Sequence, residues 1–228
     1  MKILRILLRV LLGLVVLLIL FLAVSVAPIN HTPVQDTPVY ESMMAQLDTL
    51  KPSNHQSGYG YRVGIAKVNM TPDHPIALAG YGNRKGKRYE YVHDSIFVRS
   101  MVVDNGVTRV AIVSADLLII PPTVTELLEK RLPSIGFSIE SVYLSAVHTH
   151  NSIGNWGEGV TGIMFGAYQD SVAQFITNKI MESIALASGE LKSATFRTKQ
   201  IPLPDAVGNR LIDDGPVDSL VRVLEVLR

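Results

Sequence analysis

The architecture follows most directly from residues 96–116, "IFVRSMVVDNGVTRVAIVSAD". Two β-rich runs flank Asp104-Asn105-Gly106. Asn-Gly suits turns that need positive φ, so the stretch predicts a β-hairpin whose second strand ends on Asp116. Downstream, "PTVTELLEKRL" (122–132) predicts a helix, with proline early and apolar residues on one face. "SVYLSAVHTH" (141–150) then predicts a strand, with Val142, Leu144 and Ala146 on one face and Tyr143, Ser145 and Val147 on the other. An amphipathic helix is expected over roughly 166–188, stopped by Gly189. "SATFRTKQIPL" (193–203) and "SLVRVLEVLR" (219–228) predict two more strands around the loop "PDAVGNRLIDDGPVD". Upstream, "YRVGIAKVNM" (61–70) predicts the first strand, ended by "TPDHP". Strands interleaved with helices, with at least one hairpin, predict an α/β domain over 61–228 built on a mixed β-sheet with flanking helices.

The beginning of the chain carries a different signal. After Lys2, Arg5 and Arg9, residues 10–27 hold no charge, and a helix needs roughly 20 apolar residues to span a bilayer. Residues 1–27 therefore predict a transmembrane anchor, or a signal segment cleaved near "AVSVAP". The basic flank keeps the N-terminus cytoplasmic and places the remainder on the extracytoplasmic face, membrane-anchored or, after cleavage, secreted. Residues 28–60, with Pro28, Pro33, Pro38 and Pro52, read as a tether holding one small helix in "YESMMAQLDTL".

Composition narrows the chemistry. A net charge of +1 over 228 residues gives no electrostatic reason to expect nucleic acid. With no cysteine, a disulfide framework, a thiolate zinc cluster and a thiol nucleophile are excluded, so a metal site must draw on His, Asp, Glu or Tyr. The glycine-rich "LAGYGNRKGK" (78–87) lacks phosphate-loop spacing and does not lead from a strand into a helix. No His-Glu-X-X-His or Gly-X-Ser-X-Gly is present, and the Asp-His that follows His-X-His in binuclear metallo-hydrolases is replaced by Asn151 and Ser152.

His148 and His150 remain, two apart at a strand end, where i and i+2 share a face. Such a pair can hold a metal or substrate, or merely cap a loop. Gly154, Gly157 and Gly159 are expected to let the following loop fold over a cleft. Asp116, ending the neighbouring strand, is expected to orient one imidazole from the second shell of a site.

Taken in order, "VGIAKVNMTP", "LAGYGNR", "HDSIFVRSMVVDNGVTRVAIVSADLL", "VYLSAVHTH", "NRLIDDGPVD" and "VRVLEV" resemble the N-terminal part of the neutral/alkaline non-lysosomal ceramidase family. The resemblance implies a zinc-dependent amidohydrolase that cleaves the N-acyl bond of ceramide or another lipid-like N-acylated small molecule. It assigns His148 as a zinc ligand, His150 as the catalytic acid/base, and Arg210, in "NR", as a substrate-binding residue. His93 matches a histidine near the active site, with simple packing as the other reading; an ion pair with the neighbouring aspartates is the other reading of Arg210. The family motif continues Ser-Gly-Pro where this chain has Asn-Ser-Ile-Gly-Asn-Trp, and takes its further ligands, a histidine, a glutamate and a tyrosine, from later sequence. The domain is accordingly expected to be incomplete, its end at Leu227-Arg228 falling inside a predicted strand. A non-catalytic lipid- or glycan-binding module of the same fold, and an anchored structural domain, are the competing readings.

Overall fold

The computed structural model describes residues 2–25, 31–49 and 60–228, and the chain divides into two compact units, Met1–His55 and Gln56–Arg228. In the first unit, helix α1 (Lys2–Ser25) is 24 residues long with no buried side chain. Its mean hydropathy of 3.1 over an 18-residue window makes it long and apolar enough to cross a membrane. Helix α2 (Pro38–Thr49) is the small helix of the tether. Pro38 opens it, and the Tyr40 N–H donates to the Thr37 hydroxyl, a side-chain cap on an otherwise orphaned amide. Residues 26–27 of the expected anchor segment and 28–30 and 50–59 of the expected tether lie outside the described residues.

The second unit is a six-stranded mixed sheet with a helical layer on one face. Strands β1 (Tyr61–Asn69), β3 (Phe97–Asp104), β4 (Arg109–Ala115), β5 (Val142–Ala146), β7 (Lys192–Pro202) and β8 (Leu220–Leu227) run in the order β5-β4-β3-β1-β7-β8. All neighbours are antiparallel except β4 and β5. The hairpin is β3–β4, closed over Asn105–Thr108. Asp104 Oδ1 accepts from Gly106 N–H, and Asn105 Oδ1 accepts from the amides of Val107 and Thr108. These short polar side chains satisfy backbone donors that the ladder leaves open.

The β4–β5 crossover runs through helix α3 (Pro122–Arg131). Because β4 and β5 are parallel, with Ala115 beside Ala146, their carboxyl ends lie together. This is where sites form in sheets with helical crossovers. The crossover also fixes the inward face expected of β5: Val142 is buried, and Leu144 and Ala146 pack against the core, while Tyr143 is exposed.

Helix α5 (Asp170–Gly189) closes the core. Val172, Ile176, Ile180 and Ile184 recur every four residues and are buried, the stripe expected of a helix lying on a sheet. It packs on β1, β3 and β4 and against α3. At Gly64 in β1 a Cβ would stand 1.8 Å from the Ala187 carbonyl oxygen, so this strand and the end of α5 approach closer than any side chain permits. Two short strands that periodicity does not announce, β2 (Leu78–Ala79) and β6 (Ser152–Ile153), pair antiparallel as a separate ribbon. The six-residue helix α4 (Val160–Phe165) follows.

Candidate functional site

The site begins where β5 leaves the sheet. Val147 N–H still donates to the Ala115 carbonyl and Thr149 N–H to that of Leu117, so the parallel ladder continues past the named strands. Between them His148 takes a left-handed φ of 59°, uncommon for a residue with a Cβ. The two imidazoles therefore converge through a turn rather than through plain strand alternation. Their Nε2 atoms stand 3.3 Å apart, with the rings at 77° to one another.

The partners of the two rings fix where the protons sit. His148 Nδ1 is 2.9 Å from the Leu118 carbonyl oxygen. A carbonyl only accepts, so Nδ1 carries the proton and neutral His148 presents a bare lone pair at Nε2. His150 Nδ1 is buried without a hydrogen-bond partner. A buried N–H left unpaired costs about 1–3 kcal/mol. The tautomer that avoids this carries its proton on Nε2 and donates it to His148 Nε2. The rings are thus inequivalent: one is an acceptor backed by a carbonyl, the other a donor aimed at the same point.

The second ring is seated by the glycine-rich segment 78–87. At Gly80, with φ 121°, a Cβ would come within 2.6 Å of both Cα and Cβ of His150. Tyr81 lies against the His150 ring at 4.8 Å between centroids. Arg84 Nη1 donates to the His150 carbonyl at 2.5 Å and Nη2 donates to Asn151 Oδ1 at 2.6 Å, while the guanidinium sits 4.7 Å from the centre of the Tyr81 ring. On sequence alone this segment fails as a phosphate loop and enters only as "LAGYGNR", one motif of the family resemblance, with none of its residues assigned to the site. The signal it carried was an aromatic and an arginine interleaved with glycines; in the fold, Gly82–Arg84 form a single 3-10 turn just after β2.

The other expected residues are placed as follows. The Asp116 carboxylate does not orient an imidazole: Oδ2 accepts from Phe97 N–H at 2.9 Å and Oδ1 pairs with Arg99 at 2.8 Å. Ala115 points into the core, so strand alternation turns Asp116 to the face where Arg99 lies, and the Leu118 carbonyl serves His148 instead. Only the backbone of Asp116 touches the motif, its carbonyl accepting from the Ser152 hydroxyl at 2.5 Å.

Arg210 is exposed in the loop joining β7 to β8. That loop departs beyond the start of β1, the sheet end opposite the one where β5 ends. Among the described residues, no hydrogen bond or ion pair joins Arg210 to the histidines.

His93 lines a cavity of about 500 Å³ together with Leu78, Tyr91 and Ile96. The motif reaches this cavity through Thr149 and Asn151 rather than through the imidazoles. The His93 ring is itself largely exposed, with Nδ1 2.9 Å from the Asp94 carboxylate.

Gly154 and Gly157 do not open a loop over a cleft, whereas Gly159 is exposed, at a φ of 58°, just ahead of α4. Ser152 through Gly157 are buried. Trp156 donates from Nε1 to the Ile153 carbonyl, and Asn155 ties Ala77 N–H to the Ala167 carbonyl. A Cβ at Gly154 would meet backbone oxygens of Phe165 and Ala77 at 2.3 and 2.8 Å, so the close approach is to the chain itself.

As a metal centre the site is partial. His148 has the form of a ligating imidazole, an unprotonated Nε2 that here faces only the His150 ring, with Nδ1 held by a carbonyl. Among the described residues no group of three or more His, Asp or Glu side chains gathers, whereas a catalytic zinc site needs about three protein ligands.

Comparison with known proteins identifies the family and the fold of the second unit. Residues 61–213 match the family described as neutral/alkaline non-lysosomal ceramidase, N-terminal. The fold is similar to that of the neutral ceramidase from Pseudomonas aeruginosa, at 20% identity and a TM-score of 0.65, over 74% of this chain and 29% of that one. It is also similar to a ceramidase complexed with C2, at 21% identity and a TM-score of 0.62, again over 74% and 29%. The chain thus spans under a third of the length of the solved ceramidases it matches.

Proposed function

The chain belongs to the neutral/alkaline non-lysosomal ceramidase family, and from that premise we propose that it forms the histidine-bearing part of a zinc-dependent amidohydrolase cleaving the N-acyl bond of a ceramide-like substrate. The observation that carries this reading is the inequivalence of the two histidines, whose Nε2 atoms are 3.3 Å apart. His148 holds zinc through Nε2, its ring fixed by the Leu118 carbonyl. When bound, zinc supplies Lewis-acid polarisation of the amide carbonyl. His150 moves the proton: its imidazole takes one from the attacking water as the new C–O bond forms and passes it to the amine nitrogen as the C–N bond breaks. The cavity walled by Tyr91, Ile96 and His93 adjoins the motif and accepts part of an apolar substrate. Arg210 takes no part in this scheme, because its loop leaves from the far end of the sheet. Helix α1 serves as a membrane anchor, or as a signal segment, with the second unit on the extracytoplasmic side.

Metal analysis of the full-length protein tests the division of roles. His148→Ala is expected to lose zinc, whereas His150→Ala keeps zinc and loses turnover. Zinc retained by His148→Ala removes the assignment. Ligand binding that survives both substitutions without any turnover in the wild type favours a non-catalytic binding module.

A further inference from the structure

We propose that Arg84 is the positioning residue of the histidine pair, acting on His150 and, with Tyr81 and Gly80, forming a clamp that holds this ring while leaving His148 to its own carbonyl. The inference rests on the proposed hydrolysis only for its effect on rate, since the clamp itself is a matter of contacts.

Three neighbouring residues of one loop converge on His150. Gly80 approaches so closely that a Cβ would overlap its Cα and Cβ. Tyr81 covers one side of the ring at 4.8 Å. Arg84 fixes the chain directly after the side chain's attachment, bonding the His150 carbonyl at 2.5 Å and the Asn151 side chain at 2.6 Å, and it ties this to its own loop through the Ala79 carbonyl at 3.5 Å. A planar fork of donors can serve these diverging acceptors together, and an ammonium on a flexible stem cannot reproduce that geometry. The guanidinium also rests on the Tyr81 ring, so the two clamp members brace each other. The ring they seat has no other side-chain or backbone anchor among the described residues, because His150 Nδ1 is unpartnered and Nε2 faces only His148. His148, held at Nδ1 by Leu118, needs no such support. A group that must deliver a proton to one atom requires placement within about 0.5 Å, and here that placement is delegated to a loop 66 residues away in sequence.

Arg84→Gln and Arg84→Lys in the full-length protein, labelled with 13C at histidine Cε1, provide the test. The His150 resonance, assigned by its loss in His150→Gln, is expected to shift or broaden in Arg84→Gln, while zinc content and melting temperature stay near wild type. kcat is expected to fall about 10- to 100-fold with KM within about twofold. Lysine restores only part of the rate, and added methylguanidinium partly rescues Arg84→Ala but not His150→Ala. An Arg84→Gln protein with an unaltered His150 resonance, or with wild-type kcat, overturns the positioning role. A wild-type protein that hydrolyses no N-acyl amide, while Arg84→Gln still moves the His150 resonance, overturns the proposed reaction and leaves the clamp in place.

Discussion

Alanine at Gly80 perturbs the site with a single carbon atom, and its consequences can be worked out from contacts. The new Cβ would lie 2.6 Å from His150 Cα, 2.6 Å from its Cβ and 2.8 Å from its Cγ. Reaching ordinary van der Waals contact at 3.4 Å requires a shift of about 0.8 Å. His150 cannot yield freely, since Arg84 holds its carbonyl, and the loop cannot yield freely, since Ala79 pairs with Ser152. The φ of 121° adds to the strain, because side chains rarely adopt it. Backbone strain of about 1–3 kcal/mol and overpacking of about 1–3 kcal/mol give a destabilisation of about 2–6 kcal/mol, a large share of the roughly 5–15 kcal/mol that holds a typical domain. Urea denaturation of Gly80→Ala measures the stability loss. In molecules still folded, a shift of this size in the proton-carrying ring is expected to lower turnover about 10- to 100-fold with zinc retained. Unchanged stability together with wild-type turnover would refute the close seating of His150 on the loop.

Three further outcomes test the scaffold. Asp104 is buried between Arg62 and Arg109, and the Gly106 amide bond, ahead of the two guanidinium groups, holds its carboxyl below the usual range. Its stabilising contribution is therefore complete above the unfolded carboxyl value of about 3.9 and is lost as pH falls through the lower folded value. Asp104→Asn should cost about 1–3 kcal/mol near neutrality, and the difference between the two proteins should vanish in acid, read by denaturation at several pH values. Ile180→Ala removes a fully buried side chain from α5 and should cost about 2–5 kcal/mol by the same assay. Gly64→Ala forces backbone apart where β1 meets α5; its cost of at least about 2–3 kcal/mol should appear as loss of the cooperative transition or a much lower midpoint.

What the sequence disclosed was what neighbours along the chain decide. The β3–β4 hairpin was legible because Asp104, Asn105 and Gly106 satisfy their own turn. The β4–α3–β5 crossover and α5 were legible because their apolar spacing repeats over many residues. Ribbon β2–β6 was not, since two-residue strands carry no period and depend on a partner more than 70 residues away. The glycines after His150 were read as freedom, whereas Gly154 marks close packing against Phe165 and Ala77. Asp116 misled by its place at a strand end, although the alternation from buried Ala115 already turned it toward Arg99. Arg210 was chosen by a dipeptide, and the arginine that contacts the histidine motif is Arg84. Nothing local distinguishes the two, because only the tertiary path of each loop brings an arginine to the site.

The central claim is that the histidine pair divides into a metal ligand and a proton carrier in an amide-cleaving site. It is tested most directly by following fatty acid release from an N-acylsphingosine substrate by the full-length protein, before and after removal of metal and on return of zinc. The account predicts release that stops with chelation, returns with zinc, and is abolished by His148→Ala and by His150→Ala, with zinc lost only in the first. Release that persists in His148→Ala, or that is indifferent to chelation, would contradict it.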